Sequence, residues 1–158
     1  DIYLVAIDIL KAFGVVALGS ISATSIFMIV VLFLKSISAS GAFFGLLSAV
    51  SGFIIGAYIP ISQFSEAIQT ICNIFPASQI TIVLRNVLIN GLLEHMNTTL
   101  DGVEQGMFVT SIKELFSFKA WLFDGYLDMT QMLVYITVSI LVCIVIQMII
   151  YSKTYKKA

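Results

Sequence analysis

The chain has 158 residues, 59% of them hydrophobic and only 11% charged, with a formal net charge of −1 and a mean hydropathy of +1.06. A water-soluble domain carries roughly a quarter charged residues, and a domain this small cannot hide its surface by burial. That excludes an ordinary soluble domain, and the charge excludes a nucleic-acid binder, which needs a concentrated basic face.

The chain opens at Asp1 with no basic n-region, so no signal peptide is expected and the sequence reads as a piece of a longer protein. A bilayer core takes about 20 apolar residues as helix. The first such run is Ala12 to Leu34, uncharged and closed by Lys35. Its middle carries Ser20, Ser22, Thr24 and Ser25. These hydroxyls bond back to their own helix, join neighbouring helices or line a polar path, with Ser20 and Thr24 the candidates for the path. The second run is Ser36 to Ile59, stopped by Pro60. In it Gly41, Gly45, Ser48, Gly52 and Gly56 are expected on one helical face, where small residues let another backbone approach, within the chain or across a dimer axis. Ser48 and Ser51 join the candidate path-lining set.

The segment from Pro60 to Leu93 is apolar, yet a full crossing would put Arg85, Asn86 and Asn90 near the bilayer centre at several kcal/mol without partners. It reads instead as two short amphipathic helices forming an external hairpin over 61–93. Ile61, Phe64, Ile68, Ile71 and Phe75 make the first stripe. Pro76 breaks the run, Ser78 is expected to cap the second helix, and Ile80, Val83, Leu84, Val87 and Leu88 make its stripe. Residues 94–128 form a polar external loop with turn signals at Gly102, Gly106 and Gly125. Within it, Ile112 to Leu122 is expected along the membrane interface, with Trp121 among head groups.

The third run, Thr130 to Ser152, ends in Lys153, Lys156 and Lys157. With three spans, Lys35 and this tail share one side, against Lys11, Arg85, Lys113 and Lys119 on the other, and the first set flanks the spans more closely. The expected orientation has the tail in the cytoplasm and all acidic residues outside. Phe116, Phe118, Trp121 and Tyr126 before the third span, and Tyr151 and Tyr155 after it, suit interfacial anchors. The fold class is therefore an all-α membrane protein of three transmembrane helices with an external re-entrant helical hairpin between the second and third.

Chemistry-bearing signals are sparse. Cys72 and Cys143 form no disulfide framework or metal spacing. His95, the single histidine, reads as a solvated loop residue, and Glu94, Asp101 and Glu104 as a solvated acidic loop. Asn97-Thr98-Thr99 matches a glycosylation acceptor, relevant only in a eukaryotic secretory pathway. No Asp, Glu, Lys, Arg or His lies inside the three runs, where an ion-coupled carrier keeps one, and no GxxxxGK[ST] loop is present. No catalytic or metal site is expected.

The order of elements resembles the C-terminal half of the membrane subunit of ABC exporters of the type-2 permease family. The resemblance runs over most of the chain: Gly56-Ala57-Tyr58-Ile59-Pro60 closing a glycine-rich helix, an amphipathic stretch to Phe75-Pro76, the Leu84-Arg85 pair, and a last helix with a basic tail. It implies six spans per subunit, of which these are the last three, and a hairpin at Pro60, Phe64, Pro76 and Arg85 serving as outer gate. It also implies a second permease subunit, identical or not, and a cytoplasmic ATP-binding subunit that supplies ATP hydrolysis, with no cofactor bound by this chain. The expected location is a bacterial cell membrane. The family's N-terminal half, which carries most of the ATPase coupling, is absent from this sequence, and the loop 94–128 matches no signature of the family. Two rivals stand beside this reading: a non-transporting immunity or assembly protein that binds partners through the glycine face, and part of an ion-coupled carrier.

Overall fold

The computed structural model describes residues 6–34, 36–99 and 106–155, without the side chains of residues 154 and 155. Lys35, Lys156 and Lys157, on which the expected orientation leans, and Asp101, Gly102 and Glu104 lie outside the described residues. Three helices are long and apolar enough to cross a membrane, and the protein is a membrane-embedded helical one.

Helix α1 spans Ala6–Phe33. It starts before the uncharged run because Asp8 and Lys11 pair across its first turn at 3.1 Å, with the acid at the positive end of the helix dipole. Helix α2 spans Ile37–Ile54. Ser36 caps it by accepting the Ala39 N–H at 3.1 Å. It ends five residues before the expected Ile59, for a local reason. Gly56 takes a left-handed φ of 71°, and the Ala57 and Gly56 N–H groups bond back to the carbonyls of Gly52 (2.9 Å) and Phe53 (3.2 Å). This is a Schellman C-cap.

The expected first amphipathic helix is two pieces. A single 3₁₀ turn covers Ile61–Gln63, Phe64 is extended, and α3 runs Glu66–Ile74. Its apolar stripe faces outward: Ile68, Ile71 and Phe75 are exposed, while Cys72 and Asn73 are buried. In lipid an apolar face needs no protein cover. Helix α4 spans Pro76–Thr99 and meets α3 at a 96° bend. Pro76 stands at its first position, where a missing N–H costs nothing, so Ser78 lies inside the helix and is not its cap. The helix is also longer than expected, passing Leu93 by more than a turn.

Helix α5 covers Met107–Leu115, and a two-stranded hairpin follows, β1 Ala120–Leu122 against β2 Gly125–Leu127. The stretch expected to lie as one interfacial segment is thus the end of a helix, a turn over 116–119 and a strand. Trp121 is a strand residue with its ring edge-on to Tyr126 at 4.9 Å, and Phe118 is a core residue, 6% exposed. Helix α6, Met129–Tyr155, begins where Gln131 Oε1 accepts the Asp128 N–H at 2.9 Å, half of a capping box.

Helices α1, α4 and α6 form the bundle. Val15, Ile82, Val83, Ala120 and Met132 make its core, with Ile80, Leu84 and Val87 against it. Ile82 joins the expected stripe because α4 is flanked on two sides. The Ile80 side chain fills the space beside Gly19 (3.0 Å from where a Cβ would lie), about 20 Å along α1. A second cluster, Leu93, Val109 and Phe118, joins α4 to α5. We call the end of the bundle carrying α3, α5 and the hairpin its cap.

Replacing Gly56 by Ala forces a side chain into positive φ and places its Cβ 2.8 Å from Ile61 Cγ1. The expected cost is about 1–3 kcal/mol. Gly14→Ala, with open space around it, should be neutral or stabilising by about 0.5–1 kcal/mol. Melting curves in detergent that do not separate the two variants would refute this account of the α2 terminus.

Candidate functional site

The cap is held by one cation. Arg85, on the third turn of α4, donates Nη2 to the Gly56 carbonyl at 2.9 Å and Nη1 to the Phe116 carbonyl. Among the described residues no carboxylate pairs with it. Its counter-charge is dipolar: Gly56 follows the C-terminus of α2 and Phe116 caps that of α5. Each helix end carries roughly half a negative charge, and hydrogen bonds from a charged donor contribute about 1.5–3 kcal/mol. Asn86, beside it, donates to the Phe118 carbonyl at 2.8 Å, and Asn90 to Glu94 at 2.7 Å. The polar residues that argued against burying this helix therefore all have partners.

The Phe116 carbonyl is itself held in place. Ser117, buried, with φ of 55°, accepts the Ser62 N–H at 2.8 Å, and Ser62 Oγ donates to the Leu115 carbonyl at 2.6 Å. These bonds close one wall of a cavity of about 540 Å³ lined by Gln63, Gln69, Thr110, Lys113, Glu114 and Lys119 among others.

The α3–α4 corner is a second polar assembly. A 96° bend strands the last carbonyls of α3, and side chains take them up. Gln79 Nε2 donates to the Asn73 carbonyl at 2.7 Å, and Tyr135 of α6 to the Ile74 carbonyl at 2.8 Å. Ser78 Oγ donates to Asn73 Oδ1 at 2.6 Å, and Asn73 Nδ2 to the Trp121 carbonyl at 2.9 Å. The corner is thus tied to the hairpin and to α6 together. Gln79 Oε1 and Trp121 Nε1 are buried without a partner.

The expected site residues divide among these places. Arg85 is the cap's central clamp. Pro76 opens α4 at the corner, about 14 Å away along the helix. Pro60 precedes the 3₁₀ turn, and the Phe64 carbonyl accepts Gln69 Nε2 at 2.8 Å. Of the glycine face, Gly41 and Gly45 have nothing within 4 Å and Ser48 is exposed. Gly52 is buried under the Tyr58 ring, and Gly56 lies beyond the helix altogether, so the expected five-residue face is three residues long. Of the path-lining set, Ser20 and Thr24 share a groove with Ser25 and Gln147, while Ser48 and Ser51 bond to each other's turn on α2 (Ser51 Oγ to the Ser48 carbonyl, 2.9 Å). Gln147, missed in the sequence, donates to the Ser25 carbonyl at 2.7 Å. Its signal was available, as an amide deep in an apolar run.

No protein-family model matches this chain, and neither does any curated protein or solved structure.

Arg85→Met should release the 116–118 segment, and Arg85→Lys, a point donor without the guanidinium fork, should restore it only in part. Trypsin cleavage after Lys113 or Lys119 in detergent reads that release. At least a tenfold faster cut is expected for the methionine variant. A rate equal to that of the unaltered protein would show that the clamp does not hold the cap.

Proposed function

We propose that this chain is the C-terminal half of a permease subunit of an ATP-driven exporter, with α3 and α4 as an external re-entrant hairpin forming the outer gate. The observation that carries the reading is the broken pair itself. Two helices meet at 96°, with α4 packed on α1 and α6 and the stranded carbonyls of α3 satisfied, which is how irregular backbone is tolerated at membrane depth. The order of parts also supports it: a glycine-closed helix, the hairpin with Arg85 clamped to that closure, and a last apolar helix with Lys153 near its end.

In this mechanism the cap is closed while Arg85 bridges the ends of α2 and α5. Movement of α2, driven by ATP hydrolysis on a cytoplasmic partner subunit, withdraws the Gly56 carbonyl and loosens the gate. Helix α2 suits that role because it lies apart from the α1, α4 and α6 bundle, meeting α1 through the edge-on rings of Phe27 and Phe44 (5.4 Å). The C-terminus lies in the cytoplasm of a bacterial cell in this reading, and a second permease subunit completes the path.

The open face at Gly41, Gly45 and Ser48 favours the rival, a protein that binds partners without transport, as much as it favours a permease dimer. The experiment that separates them is a mild-detergent pull-down of the full-length protein from cells expressing its neighbouring genes, assayed for ATP hydrolysis. A stoichiometric ATPase is the expected outcome; a clean preparation lacking one overturns the exporter reading. Gly45→Leu should weaken assembly with the partner helix while leaving membrane insertion intact. Size-exclusion profiles identical to those of the unaltered complex would remove the glycine face from the proposal.

A further inference from the structure

The groove between α1 and α6 has a hydrogen-bonding character that restricts what it can hold. Four polar side chains reach it: Ser20, Thr24, Ser25 and Gln147, in a space of about 320 Å³ flanked by Ile21 and Met28. Each hydroxyl proton is committed to a carbonyl of its own helix. Ser20 Oγ donates to the Val16 carbonyl (2.9 Å), Thr24 Oγ1 to that of Ser20 (2.7 Å), and Ser25 Oγ to that of Ile21 (2.8 Å). A carbonyl cannot donate, so the direction of each bond is fixed. Gln147 spends one N–H on the Ser25 carbonyl.

What remains facing the groove is the lone pairs of three hydroxyl oxygens and the Gln147 amide oxygen, against one spare amide N–H. Among the described residues no cationic side chain lines it. Gln147 lies about 27 Å along α6 and about 12 Å short of its last residue, well inside a bilayer core.

An anionic group there would meet oxygen atoms and no cation. A bare ammonium would meet suitable acceptors but no counter-charge, at a depth where an isolated ion costs several kcal/mol. An uncharged group carrying several O–H protons meets neither obstacle. We infer that this groove selects an uncharged, hydroxyl-rich head group, a sugar or polyol on an apolar tail, with Ser20, Thr24, Ser25 and Gln147 accepting its protons and Ile21 and Met28 flanking the tail. The identity of that head group as cargo rests on the exporter reading; the selectivity of the groove does not.

The test uses the full-length protein in phosphatidylcholine nanodiscs doped with one of three probes: a monoglucosyl diacylglycerol, its fully O-methylated derivative, or phosphatidic acid. Lipid retained by the protein is read by native mass spectrometry. Losing several neutral donors should cut retention about tenfold, so the glucosyl lipid is expected to exceed both controls by that factor. Thr24→Val with Gln147→Leu should bring the ratio to near one. Should loss of the Gln147 bond impair folding, Thr24→Val alone, which breaks no interhelical bond, should still lower the ratio. Equal retention of the methylated lipid or of phosphatidic acid by the unaltered protein overturns the inference, as does a ratio indifferent to Thr24→Val. ATPase co-purification in the same preparation is scored separately, so failure of the exporter reading and failure of the groove's selectivity remain distinct outcomes.

Discussion

A guanidinium that no carboxylate answers among the described residues organises one end of this protein. Arg85 is tolerable in its half-buried position because two helices, α2 and α5, end against it. Two partial negative charges together approximate the one positive charge. The arrangement makes three chain segments mutually dependent. The left-handed Gly56 presents one carbonyl, the Ser62–Ser117 bonds fix the other, and the packing of α4 on α1 sets the height of the cation between them. A lysine would supply the charge without the fork, and so could not hold two diverging carbonyls with the same geometry.

In lipid the hydrophobic effect does not draw helices together, so shape and polar contacts must specify the arrangement. Here they act at three levels. Ile80 fills the gap left by Gly19, the corner carbonyls of α3 are taken by Gln79 and Tyr135, and Gln147 reaches across to Ser25. All but the Gln79 bond join elements distant in sequence, and each would leave a polar group stranded, or a gap unfilled, in any other register. A chain with 11% charged residues thus concentrates its specificity in a few amides, hydroxyls and one arginine.

The three apolar runs were plain in the sequence because hydropathy over twenty residues depends on composition alone. Their ends were not. Helix α2 stops at Ile54 through a Schellman closure that the uncharged run to Ile59 conceals. The interruption at Pro76 was legible, since proline cannot continue a helix, but the length of α4 was not. Its residues Arg85, Asn86 and Asn90 read as penalties until their partners, carbonyls at Gly56, Phe116 and Phe118 and the Glu94 side chain, were in place. Periodicity found the apolar stripe of α3, and Ile68, Ile71 and Phe75 on it face outward. The turn of the β-hairpin was signalled by Gly125, but the strands were not: three residues are too few to show alternation.

The pairing of α1 with α6 has a bearing on how the protein is made. Helices α1 and α6 are partners, and the bond from Gln147 to Ser25 spans 122 residues. While the ribosome is still delivering α4, the groove beside Ser25 and the carbonyl of Ile74 have no occupant. The bundle cannot close until α6 has left the translocon. A chain that stalls before α6 lacks the Tyr135 and Gln147 side chains that take up the Ile74 and Ser25 carbonyls.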